Sequence, residues 1–114
     1  MMYYLLDTGS KTYKLRLNTR NIVELEKKLG GNPLIIFDNV SEDGFSGLPT
    51  VGQMITVLHY SLQQFNHGIS MNDTYDIFDE WLSNGNEWTE FFNIIVEIYK
   101  VSGIIKEAED SEKN

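Results

Sequence analysis

Tyr13-Lys14-Leu15-Arg16-Leu17-Asn18-Thr19-Arg20-Asn21-Ile22-Val23-Glu24-Leu25-Glu26-Lys27-Lys28-Leu29-Gly30 changes its apolar period at Asn18. Before that residue Tyr13, Leu15 and Leu17 alternate with Lys14 and Arg16, the mark of a half-buried strand. After it Ile22, Leu25 and Leu29 stand at helical spacing. Asn18 or Thr19 can cap a helix over about residues 20–29, and Gly30-Gly31 stops it. Lys27 and Lys28 lie where cations complement the helix dipole. Upstream, Tyr4-Leu5-Leu6 and Thr12 to Leu17 flank Asp7-Thr8-Gly9-Ser10, whose turn chemistry predicts a β-hairpin over residues 2–17.

Downstream the pattern is helical. Asn32 to Pro49 reads as a connector with one apolar anchor, Leu34-Ile35-Ile36-Phe37, and a turn-rich, mobile stretch from Asp38 to Gly47. A second helix is predicted over about residues 50–66, with Val51, Ile55, Leu58, Leu62 and Phe65 on one face. Ser70 and Asp73 form a capping box that opens a third, over about 71–83, with Met71, Tyr75, Phe78 and Leu82 inward. The short Asn84-Gly85-Asn86 link favours an antiparallel pair. A fourth, over about 87–102, carries Trp88, Phe91, Phe92, Ile95, Ile98, Tyr99 and Ser102 on one stripe. The expected fold is α+β and mostly α: an N-terminal hairpin on a cluster of about four helices. Residues 1–106 form one domain, and residues 107–114 an acidic flexible tail.

With 114 residues and no cysteine, the chain has room for one core and no disulfide or thiolate metal site. Its start lacks the basic lead of a signal peptide, and no apolar run approaches the ~20 residues of a membrane span, so a cytoplasmic protein is expected. Charge is polarised. Residues 1–31 hold six Lys/Arg against three acids, whereas residues 32–114 hold three against fourteen. No fixed positive charge stands between Lys28 and Lys100. Such a surface repels nucleic-acid phosphates and anionic lipid, so neither is expected as a partner.

No catalytic constellation emerges, and no catalytic, cofactor or metal residue is assigned. Asp7-Thr8-Gly9 resembles the aspartic-protease motif, in which two such carboxylates share a proton. Those enzymes are nearly all β, however, and here the tripeptide reads as a hairpin turn. His59 and His67 are eight apart and belong to no ligand cluster. Asp38 to Gly44 has the wrong ligand positions for a calcium loop. Asp73, Asp76 and Glu80 make one acidic stripe on the third helix, either a solvated face or one that meets a basic partner helix. Trp81 lies beside Phe78 and Leu82, and Val57 and Tyr60 lie off the main face of the second helix, where core packing is the first reading. Ile94 lies outside the principal stripe of the fourth helix, which is then either buried on several sides or partly an interface. With Trp88 these are the candidate partner-binding residues.

The succession of Tyr13 to Arg20, Asn21 to Gly30, Asn32-Pro33-Leu34 and helices ending in an aromatic–aliphatic segment resembles the tail assembly chaperones of long-tailed phages and prophages of Gram-positive bacteria. The likeness is closest over residues 12–37 and collinear to about residue 105. It implies a non-enzymatic protein of the host cytoplasm, absent from the mature virion, that binds the tape measure protein and keeps it soluble. It also implies a longer form, made by programmed −1 frameshifting, that reaches the tail tube protein. Glu112-Lys113-Asn114 can be encoded GAA-AAA-AAC, which contains a slippery heptamer. The alternatives are another virion-associated part such as a tail connector and, remotely, an aspartic protease through Asp7.

Overall fold

A computed structural model describes residues 2–38 and 47–106 of the chain. The hairpin forms from β1 (Tyr4–Asp7) and β2 (Thr12–Leu15), antiparallel, with Leu5 opposite Lys14 and Leu6 opposite Tyr13. Alternation sends Leu6 and Leu15 into the core and leaves Leu5 and Lys14 outside. Gly9 sits at φ +106°, a backbone that a side chain would strain, and its N–H donates to Asp7 Oδ1 at 2.9 Å.

Helix α1 (Thr19–Leu29) starts on Asn18, whose side chain accepts the Asn21 N–H at 2.8 Å. Gly30, at φ +79°, returns its N–H to Glu26 and ends the helix. The apolar anchor is more ordered than a bare connector: Pro33–Asp38 winds into a 3-10 helix that buries Ile36. Helices α2 (Val51–Leu62), α3 (Met71–Ser83) and α4 (Phe91–Val101) follow, with a 3-10 turn over Trp88–Glu90 leading into α4. The architecture is α+β and mostly α, as the sequence predicts.

Helix α2 is the axle. It packs against α1, α3, α4 and β2, and so buries Met54, Ile55, Val57, Leu58, Ser61 and Leu62 on more than one side. It is shorter than expected: α-helical bonding stops at Leu62, and Phe65 lies beyond its end, edge-on to Tyr3. Val51 is exposed rather than inward, being at the first turn. The anticipated start holds, with Thr50 and Gln53 forming a reciprocal capping box. Helix four likewise begins later than expected, because Trp88 and its neighbours form the 3-10 turn.

Several hydrogen bonds tie the N-terminal unit to the helices, three of them through its backbone beyond the hairpin turn. The Arg16 N–H donates to Ser61 O (2.9 Å), the Leu17 N–H to Ser102 Oγ (2.8 Å), and the Tyr99 hydroxyl to Pro33 O (2.8 Å). Burial pushes the Tyr99 phenol far above its ordinary pKa, so it serves here as a neutral donor. The turn-rich stretch from residue 39 to 46 and the acidic tail lie outside the described residues.

Candidate functional site

The five candidate partner residues divide sharply. Val57, Trp81 and Ile94 are core residues in the structure, which takes them out of the partner-binding set and selects the core packing that the sequence also allows. Val57 is buried because α2 is enclosed on several sides. Trp81, only 4% exposed, packs edge-on to Phe91 with ring centres 5.1 Å apart. Ile94 sits beside Ile95 on a face of α4 wider than the single expected stripe. Tyr60 is half-buried against His59, and Trp88 stays 42% exposed.

A second correction concerns α3. Tyr75 was expected inward but is 49% exposed, and Leu82 is only half-buried. The buried face is Thr74, Ile77, Phe78 and Trp81. Both sets are helical stripes through Phe78, and the large ring of Trp81 settles which one meets α4.

This rotation places the acidic stripe of α3 beside the hairpin. Between them lies an open groove of about 510 Å³. Lys11 and Tyr13 line the hairpin wall, and Asp73, Asp76, Ile77 and Glu80 line the α3 wall. One end is closed by Asn66, His67 and Ile69, from the segment between α2 and α3. That segment is held firmly: Gln63 Nε2 donates to His59 O (3.0 Å) and Ile69 O (2.9 Å), and Asn66 Nδ2 to Leu62 O (3.1 Å).

The three carboxylates are not equivalent. Asp73 accepts the Ser70 N–H at 3.2 Å within the capping box. Glu80 latches the hairpin turn, accepting from the Thr8 hydroxyl at 2.9 Å and from the Ser10 hydroxyl. These bonds, Ser10's foremost, hold the Glu80 carboxyl below its ordinary pKa. Among the described residues Asp76 accepts no hydrogen bond and joins no ion pair. The groove is electronegative, and its own Tyr13 registers that. Burial first, then the charges of Glu80 and Asp73, push the Tyr13 phenol up.

Asp7-Thr8-Gly9 forms the hairpin turn, with the Asp7 carboxylate capping Gly9 and the Thr8 hydroxyl engaged by Glu80. His59 Nδ1 lies 3.0 Å from Thr74 Oγ1, whose own proton goes to Ser70 O, so the ring nitrogen is the donor. His67 Nδ1 faces Gln63 O at 3.3 Å, in the segment beyond the end of α2. Among the described residues no group of three or more His, Asp or Glu is arranged to hold a metal ion. No helix among them is long and apolar enough to cross a membrane. The sequence supplied the acidic stripe but not the groove, because the opposing wall comes from strand β2, some sixty residues earlier.

A family model described as a family of unknown function (DUF6096) matches residues 5–113, and the chain belongs to that family. Neither a curated protein nor a solved structure matches it.

Proposed function

We propose that this DUF6096 protein is a phage tail assembly chaperone, which binds the tape measure protein stoichiometrically and keeps its apolar helices soluble during tail morphogenesis. The observation that carries the reading is the run from Tyr13 to Leu34, whose resemblance to that family spans the second strand, the first helix and the Asn32-Pro33-Leu34 corner. The fold supports it in one respect. That run is joined to α2 and α4 through Arg16, Leu17 and Pro33, so the pieces that carry the resemblance are tied into one body.

The work assigned to the protein is masking, not chemistry. Exposed Leu5, Val23, Leu34, Tyr75 and Trp88 offer apolar contact on a chain of net charge −8, which keeps a complex in solution. The protein acts in the cytoplasm of a bacterial host and leaves before the virion is complete. A longer frameshifted form carries the contact to the tail tube protein.

Co-expression with the tape measure protein encoded beside it tests the reading. The expected result is a tape measure protein that turns soluble and co-purifies at fixed stoichiometry. A tape measure protein that is soluble yet never co-purifies overturns it. Recovery of the chain from purified mature particles would instead favour a tail connector.

A further inference from the structure

We propose that the groove between β2 and α3 receives a lysine- or arginine-bearing helical segment of a partner protein, with the aliphatic stem on Tyr13 and Ile77 and the cation on Asp76. The groove is not merely a row of acids. Apolar side chains share its lining: Ile77 is buried, and Tyr13 and Ile69 are half-buried, so methylenes laid against them lose contact with water. Its wall is charged, and the charges differ in what they have left to give. Asp73 and Glu80 are engaged by the capping box and the hairpin turn, whereas Asp76 has no partner among the described residues.

Charge complementarity selects the occupant. The chain places no fixed positive charge between Lys28 and Lys100 to meet this wall, and among the described residues Lys11 is the one lysine or arginine lining the groove. An acidic partner segment would meet like charges in a confined space, and a purely apolar one would leave Asp76 desolvated beside it. A segment with a long aliphatic stem and a terminal cation satisfies the apolar and the acidic lining residues together. Spacing agrees as well: Asp73, Asp76 and Glu80 follow one helix face, so a second helix lying along α3 presents cations at the same rise.

The identification of that partner with a tape measure protein rests on the chaperone reading; the groove's chemistry does not. The full chain is titrated with a synthetic amphipathic helix carrying lysines on one face, and with the same peptide carrying glutamates. Amide chemical shifts of Tyr13, Ile69 and Ile77 report occupancy. The lysine peptide is expected to shift them saturably and the glutamate peptide to leave them unmoved. Asp76→Lys should weaken binding about tenfold. Asp79→Lys, on the same helix but outside the groove, should weaken it by less than about threefold. Asp76→Asn, milder and on an exposed site, should give an intermediate loss and guards against a misfolded reversal variant. No saturable shift, equal losses from both reversals, or spermidine binding as tightly as the peptide overturns the proposal. Loss of peptide binding in Asp76→Lys with the tape measure protein still retained sinks the groove's role as the chaperone contact. Groove binding without tape measure retention sinks the chaperone reading alone.

Discussion

Glu80 is the residue through which the two halves of the candidate site hold each other. Its carboxylate is the acceptor for Thr8 and Ser10, and it thereby pins the hairpin turn to α3. Because its pKa is held below the ordinary 4.5, its contribution to the fold is present above that value. It fades as pH falls through the depressed one. Glu80→Gln should therefore lower the exchange protection of the Thr8 and Gly9 amides near neutral pH and abolish the acid dependence of that protection. Exchange at those amides that is as slow as in the unaltered protein would show that the turn is self-sufficient. The Asp-Thr-Gly turn itself was legible in the sequence, since Asp and Gly there have local jobs. Its tether was not, because Glu80 lies seventy residues from Ser10 and nothing local marks it as an acceptor.

Helices α1 and α3 began where their caps said they would, and α2 proved to be capped in the same way. Asn18, Thr50 and Ser70 each accept a backbone N–H from the first turn of α1, α2 and α3. Capping is a matter of three or four neighbouring residues and so survives without tertiary context. At this scale Ser70→Ala is expected to cost about 1 kcal/mol. It would read as a lower urea midpoint with unchanged slope. A loss well above that would mean the cap also fixes the backbone at Ser70, whose carbonyl accepts from Thr74 and so supports His59. What the caps could not convey is rotation. On α3 the expected inward set and the observed one share Phe78 and differ by one residue step elsewhere. A wheel drawn from α3 alone holds aromatics on both sides, with Tyr75 on one and Trp81 on the other. The aromatic contact of Trp81 with Phe91, a residue of another helix, decides between them.

Across the whole molecule the two tryptophans measure what the fold does with apolar side chains. Trp81→Ala removes a ring packed among Phe78 and Phe91 and should cost about 3–5 kcal/mol by thermal or urea unfolding. Trp88→Ala, at the surface, should stay within about 0.5 kcal/mol. On the chaperone reading it should still impair retention of the tape measure protein. Equal destabilisation by both would place Trp88 in the core and remove it from any docking surface. Both residues look alike in the sequence, each a large aromatic in a helical stretch. The sequence by itself determined the hairpin, the caps of α1 and α3, the order of the four α-helices, and the polarity of charge along the chain. These follow from periodicity and from bonds between near neighbours. The tertiary structure alone decided which face of α3 turns inward, that α2 is enclosed on several sides, and that β2 and α3 enclose a groove. Those depend on side chains far apart in sequence filling one volume, and no local pattern encodes which distant ring arrives first.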